Sequence, residues 1–391
     1  MDPGSRFAWP GRHREPRMNL GTRQNPWRVM LAVNAAVMAG VLIHKITLPP
    51  YVPYIHLLVD YHFGFVKRAL IGAIVSLFTR QVPVWLVFAL GGAVWVLTGL
   101  LFVKLFRRTF GFDDAQLPLF VFTAGSPFFL KNFMHTLGHF DIYGCLFAIV
   151  LLLIPAQGVG FVLLAAFFSA VLILIHHIHL LMYVPTIALI VVLRHYLSSG
   201  IGRANLAVGV ITLIGLGALF VALQFWGTMP VPEAKFVDYL KTRMADPTRT
   251  DLLSFSYIWY QPLAKEISDT WARMPSNILG VPVFVLLIWL HSPLWRYFAD
   301  SIRSLAHELH RQIVVAGVVA VSAAYLIMFA IVFDYSRWVS NWVVCMFLIL
   351  HAVKTLPSAR AVPPIAGDDK KTGILGWIVT VIPRVGVIRP F

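Results

Sequence analysis

The chain has 391 residues, of which 59% are hydrophobic and only 13% charged, and it carries a net charge of +15. That much apolar surface cannot be hidden inside one water-soluble core, which excludes an ordinary globular domain. Apolar runs near twenty residues recur along it, as crossing a bilayer requires. The positive charge therefore reports loop orientation and contact with anionic membrane lipid, and no nucleic acid is expected as a partner.

Residues 1–28 form an Arg-rich tail, read as cytoplasmic. The segment 29–48 behind it is long and lacks a small-residue cleavage site, so it reads as a retained first span. Ten spans are expected in an all-α, polytopic helical bundle over residues 29–355: 29–48, 83–103, 117–131, 141–155, 159–176, 180–195, 205–225, 278–292, 313–333 and 338–353. Two segments stand outside the bundle on its outer side, a juxtamembrane stretch at 49–82 and a hydrophilic loop at 228–277. Residues 356–391 form a cytoplasmic or interfacial tail, apolar after Lys371 but interrupted by Pro383. Cys145 and Cys345 both lie in apolar runs and give neither a disulfide framework nor zinc spacing.

Segment 64–79 decides the orientation. As a helical span it is only about 24 Å long, short for a hydrocarbon core of about 30 Å. Gly64, Arg68, Gly72, Ser76 and Arg80 recur every fourth position, a polar stripe that suits a helix lying at the interface. If this segment does not cross, Lys104, Arg107, Arg108, Arg194, Arg203, Arg296, Arg303, Arg311, Lys354 and Arg360 all fall on one side with the tail, which is the cytoplasmic side. Both termini are then cytoplasmic. The absence of any glycosylation framework suits a bacterial inner membrane. An amphipathic stretch at 295–310 places Phe298, Ile302, Leu305 and Leu309 on one face, expected to rest on lipid.

The opposite face collects the unusual residues. "VDYHFGFVKR" brings Asp60, His62, Lys67 and Arg68; "MHTLGHFDIYG" brings His135, His139 and Asp141. "IHHIHLLMYVP" adds His176, His177 and His179, and "FDYSRWVSNW" adds Asp334, Arg337 and Trp338. The outer loop contributes a short helix within "PEAKFVDYLKTRMADP", stopped by Asp246-Pro247, and then Trp259 and Tyr260 for stacking on sugar rings. Ionisable groups at the mouth of a membrane bundle are costly to bury, which marks them as functional candidates. Each has a plainer reading. Lys67 and Arg68 suit interfacial anchors, Asp60 a helix cap, and Asp334 with Arg337 a local ion pair. His176 and His179 sit three apart and can share a helix face, where a divalent metal with Asp60 or Asp141 is a further possibility, though no metal signature supports it.

A carboxylate among Lys, Arg and His suits an anionic lipid phosphate. The cations neutralise phosphate oxygens, Arg in bidentate fashion, and Asp60 accepts the proton of an attacking hydroxyl, with Asp141 as runner-up and His139 beside it. A site on the outer leaflet draws on a donor already in the membrane. On these features the chain resembles the GT-C superfamily of membrane glycosyltransferases. "VDYHFGFVKR" occupies the first outer loop, Asp60 matches the acidic position there, and "GHFD" is similar to later acidic elements; Tyr61 stands where many members have a second acid. The resemblance implies a polyprenyl-phosphate-linked sugar donor and a glycan or lipid acceptor. A transporter or flippase of an anionic or lipid-linked substrate is the main rival, and an outer-face acyl- or phosphate-group transferase is a third reading.

Overall fold

A computed structural model describes residues 26–111, 120, 138–156, 158–197, 203–332 and 334–356. The described residues are helical throughout, with one isolated bridge joining Val82 to Met244. In chain order the helices are α1 (Pro26–Ile46), α2 (Tyr51–Leu58), α3 (Leu70–Ser76), α4 (Trp85–Phe110), α5 (Asp141–Leu153), α6 (Gly158–Ile175), α7 (His179–Met182) and α8 (Val184–Val191). They continue as α9 (Arg203–Trp226), α10 (Glu233–Arg243), α11 (Leu263–Asn277), α12 (Val281–Leu290), α13 (Ser292–Arg303), α14 (Glu308–Ile331) and α15 (Tyr335–Val353).

Five of these, α4, α6, α9, α14 and α15, are long and apolar enough to cross a membrane, and the count rises to seven if each of two bent helix pairs is one span. The chain is thus a multi-span helical membrane protein, but ten spans are not reached among the described residues. The expected span at 117–131 lies outside them, apart from Phe120. At 141–155 stands α5, whose thirteen residues reach only about 20 Å. At 180–195 the chain is broken into α7, α8 and a π turn at Val192–Tyr196. Both segments are apolar and largely buried in the core, and both are shorter than a full helical span. The first span bends by 72° into α2 at Pro49-Pro50, where proline removes backbone donors and disfavours helix in the preceding residue.

Two cores result. The larger surrounds α15, which is buried from Val343 to Val353 and packs against α4, α5, α8 and α14. Side chains of two of the basic clusters also cap an element of this core. Arg108 donates to the Leu153 carbonyl at 2.5 Å and Arg194 to that of Leu151, so cations expected only to orient the chain satisfy the last carbonyls of α5. The second core joins the two segments expected outside the bundle. Tyr54, Ile55 and Leu58 of α2 pack with Phe236 and Leu240 of α10 and with Trp259. Helix α10 ends at Arg243, a little before Asp246-Pro247, and the rest of the loop is more ordered than its hydrophilicity suggested, because α11 occupies its second half.

Segment 64–79 forms only the seven-residue α3, too short to cross. Its expected polar stripe is not a solvated face. Arg68 is buried, and Gly72 lies against the end of α2, where an added Cβ would fall 1.8 Å from the Val59 carbonyl oxygen and 2.9 Å from that of His56. Glycine is needed there for close backbone approach, not polarity. The obstructing atoms are backbone and cannot rotate away. Gly72→Ala is therefore expected to cost about 3 kcal/mol or more, beyond ordinary overpacking. A fall in melting temperature in detergent, with loss of monodisperse protein, checks this; a wild-type melting curve would contradict the packing.

The 295–310 stretch also departs from expectation. Helix α13 stops at Arg303, and Phe298, Ile302 and Leu305 are buried in the main core rather than resting on lipid, while Leu309, already in α14, is 60% exposed. The turn between α13 and α14 redirects the apolar face onto α14 and α15.

Candidate functional site

A partly open cavity of about 370 Å³ lies at one end of the bundle, bordered by α2 and α11. Its wall takes Arg68 from the turn before α3, His139 and Phe140 from the start of α5, and His176 and His177 from the end of α6. It also takes Asp334, Arg337 and Trp338 from the start of α15. Four stretches far apart in sequence therefore meet at one place. From α11 come Glu266, Asp269, Thr270 and Arg273, spaced as one helix face, and from α2 comes His56. None of these five was anticipated. The i, i+3, i+4, i+7 spacing on α11 was the signal available for four of them; His56, a single histidine in "YIHLL", gave none.

Arg68 is the exposed end of no flexible chain. It is buried, its φ is +62°, a region non-glycine residues seldom adopt, and its Nε has no hydrogen-bond partner. Its nearest carboxylate is Glu266, at 3.9 Å, too far for a hydrogen bond. Arg337 is differently held. It makes a two-point ion pair with the fully buried Asp141, while Asp334 stands at 3.7 Å. The local pair with Asp334 that the sequence suggested is present, but the closer, two-point partner of Arg337 is Asp141, from another helix. The pair leaves both Asp141 oxygens engaged, which disfavours Asp141 as a proton acceptor. The guanidinium also lies 4.8 Å from the ring centre of Trp338, whose indole N–H donates to the Val332 carbonyl at 3.3 Å.

Asp60 sits elsewhere. Its carboxylate accepts from Arg243, from the Tyr239 hydroxyl at 2.8 and 2.9 Å, and from the His62 amide at 3.0 Å. His62 stacks on Tyr239 at 4.4 Å. Neither Asp60 nor His62 lines the cavity; with its oxygens engaged, Asp60 fastens α10 to the turn after α2. Trp259 is fully enclosed in the second core and has no face left for a sugar ring, and the Tyr260 hydroxyl donates to the Val231 carbonyl at 2.8 Å. His135 lies outside the described residues.

The histidines divide. Helix α6 ends at Ile175, so His176 and His179 do not share a helix face: a turn intervenes, and α7 begins at His179. His179 is directed to the Phe140 carbonyl, 3.2 Å away, and is absent from the cavity wall. Burial, and then the Arg68 charge, push the imidazoles of His176 and His177 well below their ordinary range, so both are neutral at physiological pH. Neutral imidazoles suit hydroxyl groups better than phosphate. The wall then balances three guanidiniums, Arg68, Arg273 and Arg337, against three carboxylates, Glu266, Asp269 and Asp334. Among the described residues no group of three His, Cys, Asp or Glu side chains gathers in a metal-binding arrangement.

Lys67 is buried beside the cavity, donating to the Gln261 carbonyl at 2.7 Å. Burial, helped by the Arg68 charge, pushes its ammonium down to about 8 from its ordinary 10.5. Below pH 8 it is charged in folded and unfolded chains alike, and the burial cost is fully present. Between about 8 and 10.5 the unfolded chain holds more protons, so this residue's contribution to stability improves as pH rises. The difference in melting temperature between wild type and Lys67→Met, measured from pH 7 to 10, should therefore move in favour of wild type above pH 8; a flat difference contradicts the depressed ammonium.

The chain matches no protein-family model, no curated protein and no solved structure.

Proposed function

We propose that this chain is an integral membrane glycosyltransferase or glycan polymerase of the cell envelope, taking sugar from a polyprenyl-phosphate-linked donor at the outer face. The observation that carries the reading is Arg68, a buried guanidinium with an unpartnered Nε on a cavity wall that also presents the carboxylate-bearing face of α11. An anion is the natural complement of a guanidinium held in that way, and Arg offers phosphate a paired set of donors. The neutral histidines and the carboxylates are the complement of sugar hydroxyls.

In this reading the acceptor hydroxyl gives its proton to Glu266, the loosest-paired carboxylate on the wall, as its oxygen attacks the anomeric carbon. The bond from that carbon to the phosphate oxygen breaks, and the polyprenyl phosphate leaves with its negative charge against Arg68. Arg337, fixed by Asp141, stands as the second cation. Asp60 belongs to the support of the site and not to its chemistry. The test is the lipid that the protein carries when purified from its native membrane. Mass spectrometry should find an isoprenoid phosphate, with or without sugar, that is depleted in Arg68→Gln; its absence from wild type would count against the reading.

A transporter or flippase is favoured by one specific observation, the broken course of α1–α2, of α7–α8 and of α11–α12, since discontinuous helices frame many transport sites. Reconstituted vesicles separate the two readings: a flippase equilibrates a labelled polyprenyl phosphate between leaflets without consuming it, whereas a transferase does not.

A further inference from the structure

A second, smaller cavity of about 240 Å³ lies against the first and shares three wall residues with it, Val52, His139 and Phe255. Its other walls come from the bend between α1 and α2, where Pro49, Pro50 and Pro53 hold the backbone, and from Lys45, Tyr51 and Phe88. The rings of Tyr51 and Phe255 pack with their centres 5.7 Å apart and their planes tilted by 56°. The chamber thus combines aromatic surfaces, a rigid proline frame and one cation, and it contains none of the wall carboxylates of the first.

We infer that the second chamber is the acceptor subsite, that its ligand is a sugar residue of the acceptor, and that His139 stands in the partition between acceptor and donor. This rests on the glycosyltransferase reading and adds to it the place of the second substrate. Three features favour a sugar over a lipid chain. Tyr and Phe rings offer flat apolar surfaces to the C–H faces of a pyranose, and the Tyr51 hydroxyl and Lys45 ammonium suit its hydroxyl groups. The volume falls below the roughly 300–1,000 Å³ usual for larger ligands, as one or two sugar rings require. The chamber also sits at the kinked end of the first helix, not along a helix face where an isoprenoid chain would run. With the donor against Arg68 in the first chamber, a hydroxyl of the acceptor reaches the donor's anomeric carbon past His139. That imidazole is placed to orient the hydroxyl, and the proton passes to the carboxylate named above.

Single cysteines report the two chambers separately. Leu48→Cys, which spares the aromatic rings, lies in the second and Gln261→Cys in the first, while native Cys145 and Cys345 are buried and contribute little background. Variants are kept only if their melting temperature and monodispersity in nanodiscs match wild type. The rate of modification by a small thiol reagent is read with farnesyl phosphate, and with methyl glycosides of hexoses, N-acetylhexosamines and pentoses, each raised to saturation or to its solubility limit. A ligand at ten times its Kd slows the reaction about tenfold. The expected result is that at least one glycoside protects position 48 but not 261, and farnesyl phosphate protects 261 but not 48. Farnesyl phosphate protecting 261 with no glycoside protecting 48 overturns the acceptor subsite and leaves the proposed function standing. Farnesyl phosphate protecting 48 makes the chamber a lipid site and overturns the inference. Protection of 261 by nothing overturns the proposed function itself, and the acceptor assignment with it.

Discussion

Asp141→Ala should lower stability by about 3–5 kcal/mol, the range for removing one partner of a buried ion pair. Asp141 is fully buried at the first turn of α5, and its two oxygens are the principal counter-charge of Arg337 at the first turn of α15. The substitution strands a guanidinium that has Asp334 only at 3.7 Å, on the wall of the cavity. The cost falls on the junction that brings α5 and α15 together. A double-mutant cycle gives the claim its edge. Arg337→Leu alone strands the Asp141 carboxylate and should also be costly, whereas the double variant removes both charges and should recover much of the loss. Chemical unfolding in a single detergent measures all four proteins. Additive losses would show that the two side chains do not act as a pair.

Arg68→Gln should reduce affinity for farnesyl phosphate by roughly ten- to a hundredfold, the consequence of losing a charged hydrogen bond worth about 1.5–3 kcal/mol. The stability change should be small beside that of Asp141→Ala, because Arg68 has no close ion-pair partner to strand; Glu266 lies 3.9 Å away. Arg68→Lys keeps the charge without the planar fork and should fall between the two. Asp60→Asn is the informative control. It breaks the contact with Arg243 and Tyr239 that fastens α10, so it should lower the melting temperature, yet leave phosphate affinity near wild type in protein that remains folded. If Asp60→Asn abolishes phosphate binding while Arg68→Gln spares it, the cavity assignment is wrong and the first outer loop holds the site after all.

Much of the meeting place was legible before any coordinates. Arg68, His139, His176, His177, Asp334 and Arg337 stand out because charged or polar groups next to apolar runs are expensive, and a consistent alternation of basic loops put them at the same end. Long-range pairing was not legible. Asp60 and Arg243 are 183 positions apart, and Asp141 and Arg337 are 196 apart, so nothing local links either couple. Asp334, one turn from Arg337, is what short-range rules select, but a buried carboxylate on another helix supplies stronger compensation than a half-exposed one. The span count is matched only in part, with five to seven candidate spans among the described residues. Helix α5 and the broken α7–α8 are as apolar as spans but short, and many of their residues are buried in the main core. The α11 face carried a readable pattern in Glu266, Asp269, Thr270 and Arg273, masked by the expectation that a hydrophilic stretch between spans is loop.

The most direct measurement is a structure determined by cryo-electron microscopy in nanodiscs with farnesyl phosphate at a concentration that saturates binding. The phosphate is predicted on the wall of the larger cavity, within hydrogen-bond reach of the Arg68 guanidinium and on the side where Arg337 stands. Phosphate density beside Arg243 and Asp60, or a larger cavity without any phosphate at saturation, would contradict the account.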